Sequence, residues 1–173
     1  MAIFSDKIFL RALEPEDVDF IYKIENEPEI WDAGVANSPI SRFQIANYVA
    51  SQSQDIFQTG ELRLVIMEKE SSSPCGLLDL TGISPLDRRA EVGIVIAKSS
   101  QGRGLGKAAL SLLCEYAYEK LYLRILYAKI YESNQLSRSL FESVKFTKLA
   151  VLPQWGYHRG KYENLIVYYR KLG

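Results

Sequence analysis

Between an apolar run, Val92–Ala97, and a helical pattern from Lys107 to Tyr122 stands Lys98-Ser-Ser-Gln-Gly-Arg-Gly-Leu-Gly-Lys107. A buried strand, a glycine-rich turn and a helix in that order restrict the fold of this chain more than any other feature. The turn leaves backbone N–H groups unpaired at the helix N-terminus. Those donors and the positive end of the helix dipole make an anion site suited to phosphate. Glycine fits there because a Cβ would hold the backbone away from a ligand and because the turn can need positive φ. Arg103 and Lys107 add positive charge beside the turn.

Spacing narrows the phosphate ligand. A dinucleotide fingerprint reads G-x-G-x-x-G with an acidic residue about 20 positions on; glycines at 102, 104 and 106 do not fit it. A P-loop reads G-x-x-x-x-G-K-[ST]; here Lys107 is followed by Ala108 and position 101 is Gln. What the chain does carry is Q-x-x-G-x-G, from Gln101 through Gly102, Arg103, Gly104 and Leu105 to Gly106. This resembles the pyrophosphate-binding loop of the GNAT acetyltransferase superfamily. The resemblance implies acetyl-coenzyme A as cosubstrate, no metal, and a cofactor held by the amides from Gln101 to Lys107. An ordinary glycine-rich turn is the competing reading.

Composition sets outer limits. The 173 residues fit one domain with a sizeable core. Lys+Arg equal Asp+Glu at 21 each, which gives no general argument for nucleic acid or a membrane surface. No apolar run approaches the roughly 20 residues of a spanning helix. The start, Met1-Ala-Ile-Phe-Ser-Asp6, lacks the basic and apolar regions of a signal peptide, so a cytoplasmic protein is expected. Cys75 and Cys114 have no metal-ligand spacing and read as free thiols.

Along the chain, Ile8–Leu13 reads as a strand, and Pro15 opens a helix whose first turn carries Glu16 and Asp17. Ser41 to Gln44 has the form of a capping box, with a helix running toward Ser53. Glu61–Lys69, Gly76–Gly82 and Glu91–Lys98 are strand-like, with a turn over Ser71–Pro74. In the helix after the glycine loop Leu105, Ala109, Leu112, Leu113, Tyr116 and Ala117 lie near one face. A strand over Arg124–Tyr131, a helix from Gln135 to about Val144, and strands over Thr147–Leu152 and Tyr162–Lys171 complete it. The order β-α-α-β-β-β-α-β-α-β-β resembles the GNAT fold over about residues 7–171. The expected architecture is a single α/β domain over 1–173. Its central sheet is mixed, mostly antiparallel, with a splayed strand pair flanked by helices.

The same resemblance distributes roles. The strand before the loop would present Ile94, Val95 and Ile96 to the pantetheine arm as an added strand does. The N–H near Val95 would face the developing oxyanion. The segment from Asn134 through Leu140 and Phe141 to Phe146 resembles the family motif N-x-x-A-x-x-L-Y-x-x-x-G-F. It departs at Phe141, where the family has the tyrosine that protonates the leaving thiolate, and at Lys145, where it has glycine. A thiol of pKa about 8.5 leaves at neutral pH with a mismatch of roughly 2 kcal/mol. The chain could therefore be an enzyme slower by up to the about 10²–10⁴ in rate that a general acid contributes, or could use water, Ser139 or another tyrosine.

Glu91 resembles the acidic residue that opens this strand in spermidine and ribosomal-protein N-acetyltransferases, and is the candidate general base. It reads equally as a cross-strand partner for Arg88 or Arg89. An acceptor of lysine-like pKa about 10.4 needs roughly 4–5 kcal/mol to shed its proton at pH 7. Glu25, Glu27, Glu29 and Asp32 with Trp31 lie in a stretch without Lys or Arg between Lys23 and Arg42. By resemblance Glu27, Glu29, Trp31 and Asp32 border the acceptor groove and suit a cationic amine; a solvated loop is the plain alternative. His158, the single histidine, reads as a loop residue, and with Trp155 and Tyr157 it could rim the acceptor side. The expected function is acetyl transfer from acetyl-CoA to a primary amine (a polyamine, a protein N-terminus or a small amine) by direct attack. The alternative is a non-catalytic CoA-binding sensor or assembly module. The expected partner is an amine acceptor, with neither nucleic acid nor membrane, and a homodimer is left open.

Overall fold

A computed structural model describes residues 3–28, 38–52, 55–158 and 160–173. Strands β1 (Ile3–Phe4) and β2 (Ile8–Ala12) lead through a 3-10 turn, Pro15–Asp17, into α1 (Val18–Glu25). Then come α2 (Arg42–Ala50), α3 (Ile56–Thr59), β3 (Leu62–Glu68), β4 (Ser73–Ser84) and β5 (Arg89–Ile96). After the glycine loop follow α4 (Leu105–Glu119), β6 (Ile125–Tyr131), α5 (Gln135–Ser143), β7 (Thr147–His158) and β8 (Lys161–Lys171). The strands form one sheet in the order β1-β2-β3-β4-β5-β6-β8-β7. Every neighbouring pair is antiparallel except β5 with β6. The mixed, mostly antiparallel α/β sheet with a splayed pair is thus the observed architecture.

Helices cover both faces of the sheet. On one, α4 buries Ala109, Leu110, Leu113 and Ala117 against Leu78, Leu80, Val92, Leu126 and Ile166. On the other, Ile21, Ile24 and Ile45 of α1 and α2 pack on Val65, Met67 and Leu77. Two-sided cover explains why β3 is apolar at consecutive positions, Leu64 through Met67, rather than alternating with a wet face. No helix among the described residues is long and apolar enough to cross a membrane.

Local chemistry sets several element ends. Ser41 and Gln44 form the expected reciprocal capping box. Asp55 caps α3 through the N–H groups of Phe57 and Gln58, and Gly60 ends it in a left-handed turn, a short helix the sequence reading passes over. The chain leaves α4 at Glu119, short of Tyr122, which takes positive φ. Pro74 lies within β4 rather than in a turn, opposite Met67 next to a bulge. Lys145 adopts φ of 63° just past α5, so the conformation the family motif gives to glycine is retained with a side chain in place.

Candidate active site

The sheet opens where β5 and β6 part. They pair in parallel at Arg89 with Ile125, Ala90 with Leu126 and Glu91 with Tyr127, and diverge beyond. The gap leads into a cavity of about 730 Å3 whose walls include Ile94, Val95 and Ile96 of β5 and Ala128 to Tyr131 of β6. At one end the lining continues over Gln101, Gly102, Gly104, Leu105, Gly106 and Lys107; beside the gap stand Asn134 and Phe141.

Strand parity decides which backbone groups face this gap. The Ala97 N–H donates to the Cys75 carbonyl on the β4 side, at 2.9 Å. The Val95 carbonyl likewise points at Gly76 of β4. The Arg88 carbonyl accepts from Ile125 of β6. Successive residues of a strand alternate edges. Val92, Ile94 and Ile96 therefore turn their backbone groups to the gap, and the Val95 N–H, expected as the oxyanion donor, is turned to β4. Ile96 is the case in point, since its carbonyl accepts from the Gln101 side chain at 3.0 Å.

The glycine loop ends in a bare helix N-terminus. Helices α2, α3 and α5 are capped by the side chains of Ser41, Asp55 and Asn134. Helix α4 begins on Gly104, at φ of 77°, with no side-chain cap. Its first N–H groups thus stay available for an anion. Gly106 serves packing instead: a Cβ there would stand 3.3 Å from Leu140 and 3.4 Å from Ile96. Arg103, expected at the phosphate, points elsewhere. It is outside the cavity lining and is ion-paired with Glu68.

Glu91 also stands outside the lining. It accepts from Lys129 Nζ at 2.8 Å across the root of the gap, and this hydrogen bond pushes the Lys129 pKa up. The anticipated partners are engaged elsewhere, Arg88 with the Tyr122 carbonyl and Arg89 with Asp87. Among the described residues, the carboxylates that do line the cavity are Glu27 and Asp79. Asp79 pairs in register with Gly93. It accepts from Arg63 at 2.6 and 3.0 Å, and the same guanidinium reaches Glu25 at 2.9 Å. Burial opposes the Arg63 charge, but Asp79 more than offsets it, so the Arg63 pKa lies above its ordinary value. Glu29, Trp31 and Asp32 lie outside the described residues.

Phe141 is 2% exposed and meets Phe146 edge-on at 5.0 Å. Ser139 is bonded to Gln135 on the outside of α5. Among the described residues, the hydroxyl side chains that line the cavity are those of Ser100, Tyr131 and Ser137. Neither cysteine is a poised nucleophile. Both are buried, and burial first of all pushes the thiols of Cys75 and Cys114 up to about 11.

A sheet opened between two parallel strands, with an uncapped helix N-terminus at the end of the gap, offers free backbone groups to an extended, phosphate-bearing ligand. The model of the acetyltransferase (GNAT) domain matches residues 7–147, and the chain belongs to that family. It is similar to the spermidine N(1)-acetyltransferase of Vibrio cholerae serotype O1, at 26% identity over 161 residues, covering 93% of this chain and 91% of that protein. Its fold is similar to the crystal structure of the Vibrio cholerae spermidine N-acetyltransferase in complex with CoA and spermine. That likeness has a TM-score of 0.86 at 24% identity and covers 96% of each chain. It is equally similar to RimL, a ribosomal L7/L12 alpha-N-protein acetyltransferase in complex with coenzyme A. There the TM-score is 0.87 at 20% identity, with 99% of this chain and 98% of that one covered.

Proposed function

We propose that this chain, read as one domain over residues 1–173, transfers an acetyl group from acetyl-CoA to a primary amine that attacks the thioester directly. The observation that carries the reading is the continuity of one cavity from the parted edge of β5 to the uncapped start of α4. The pyrophosphate binds the N–H groups of the glycine loop near Lys107. The pantetheine arm runs along Ile94 and Ile96 as an added strand, past Asn134 and Phe141. A gap-facing N–H of β5, that of Ile94, meets the oxyanion.

The amine enters over Glu27 and Asp79, whose charge favours a cation. Two carboxylates compete for the role of base. Glu91 is the residue the motif points to, and its pairing with Lys129 at the root of the gap favours Asp79, which lines the cavity. The thiolate takes its proton from Tyr131, Ser137 or water. The two free thiols suit a reducing compartment such as the cytoplasm. The test is thiol release from acetyl-CoA over a panel of polyamines, peptide N-termini and small amines. Turnover above the acceptor-free background is expected. Binding of CoA without turnover on any amine would leave the sensor or assembly module.

Phe141→Tyr checks the acid position. A hydroxyl beside the gap is expected to raise the chemical step by about tenfold where thiolate protonation limits it, with CoA affinity unchanged. A single-turnover rate that stays level or falls argues that the acid position is filled by another group.

A further inference from the structure

The middle of the glycine loop is held by one side chain. Gly102 and Gly104 both take positive φ, at 74° and 77°. A Cβ on Gly102 would have nothing within 4 Å. The start of the loop is tied by Ser100 N–H on the Ala97 carbonyl, at 2.8 Å, and by Gln101 on Ile96. Between those ties and α4 stands Arg103, whose guanidinium crosses the end of the sheet to Glu68, the last residue of β3. Nη1 lies 3.1 Å from Oε2, and Nη2 bonds Oε1. The Glu68 side chain is 10% exposed against 46% for Arg103. Ser71 Oγ donates a further hydrogen bond to it at 2.9 Å. A carboxylate that well covered requires a matched charge, so the pair pins a glycine-rich segment that otherwise has many conformations to sample. Positive charge toward the cofactor then comes from Lys107, which lines the cavity, and from Lys7, whose Nζ would stand 3.8 Å from a Cβ on Gly104.

Resting on the cofactor site proposed above, we propose that Glu68, acting through Arg103, is a positioning residue for coenzyme A. The pair holds the loop in the shape that presents its N–H groups to pyrophosphate, which is preorganisation rather than contact.

The test is calorimetric titration of the full chain with CoA. If release of the clamp lowers the competent fraction of the loop to about a tenth, Glu68→Gln raises the Kd about tenfold. Were Arg103 itself the phosphate ligand, with Glu68 competing for it, the same substitution would leave the Kd level or lower it; that result overturns the proposal. Arg103→Met, at a half-exposed site, gives a readout should Glu68→Gln fold poorly. It is expected to raise the KM for acetyl-CoA with little change in kcat, and to speed amide exchange over Gly102–Lys107 in the free protein. Arg103→Lys restores part of the affinity. The double variant Glu68→Gln/Arg103→Met costs no more than the larger single change, because the two act as a unit; additive losses, or unaltered loop exchange, overturn the clamp. Gly104→Asp separates the two readings. If it abolishes CoA binding while Glu68→Gln does not weaken it, the clamp alone fails. If neither matters, the phosphate site itself is elsewhere.

Discussion

Gly104→Asp is expected to raise the Kd for coenzyme A by about 100-fold or more, equivalent to roughly 3 kcal/mol, with a much smaller effect on the ligand-free protein. Gly104 is the N-cap of α4 and leaves the first N–H groups of that helix without a side-chain acceptor. An aspartate there brings a carboxylate to the same donors. It competes with the pyrophosphate for them and repels it as well. The backbone penalty is limited, because Asp and Asn are the side chains that visit φ near 77° most readily. A cost of about 1–2 kcal/mol there lowers the Tm of a domain this size by a few degrees, at about 2–4 °C per kcal/mol. Gly104→Asn isolates the charge: it has the same bulk and backbone tolerance, and is expected to weaken CoA far less. Lys7 lies near enough to screen the new carboxylate, so Lys7→Ala combined with Gly104→Asp deepens the loss. Calorimetry showing native affinity in Gly104→Asp would remove this turn as the phosphate site.

The parts of this architecture written in contiguous residues are the parts a sequence reading reaches. The glycine loop lies within a few positions, the capping box spans Ser41 to Gln44, and the strand and helix order, apart from the short β1 and α3, follows from local periodicity. What escapes is pairing at a distance. Arg103 and Glu68 are 35 residues apart, and Lys129 and Glu91 are 38 apart. Nothing local says that Arg103 turns to Glu68 rather than into the cavity, or that Glu91 has a cation across the gap. That the Val95 N–H faces β4 escapes for a related reason: strand parity becomes known only once β5 is registered on β4. The last strand pair shows the same limit. The first of its strands reads as ending at Leu152, with His158 in a loop, yet β7 continues through Gly156 to His158. Gly156 is required there because a Cβ would collide with the ring of Tyr131, which belongs to a different strand. Asp79, in a strand whose sequence singles out no functional residue, is placed at the cavity only when Gly93 is found opposite it.

Asp79→Asn carries the second large expectation: kcat/KM for a cationic amine falls about 100-fold while the Kd for CoA stays within about twofold. Gly93 leaves the carboxylate uncovered, since any Cβ at that position would stand 3.6 to 3.8 Å from Asp79 atoms. Arg63 holds Asp79 from the other side through two hydrogen bonds, which leaves its cavity-facing lone pairs for the acceptor. A charge-assisted hydrogen bond contributes about 1.5–3 kcal/mol, and the lost attraction for an ammonium adds to it, so a total near 3 kcal/mol corresponds to about 100-fold. The substitution also loosens a partly buried ion pair. Arg63 keeps Glu25 at 2.9 Å, so the stability loss is expected near the lower end of the about 3–5 kcal/mol seen when a buried pair loses one partner. Glu25→Gln separates the two effects. It removes the other carboxylate from Arg63 without touching the cavity lining, and is expected to lower Tm comparably with a much smaller kinetic change. Steady-state rates on polyamine and peptide acceptors, taken well below each Tm, decide the matter. If Asp79→Asn lowers Tm but keeps its kcat/KM, Asp79 is a structural partner of Arg63, and the charge that receives the amine belongs to Glu27.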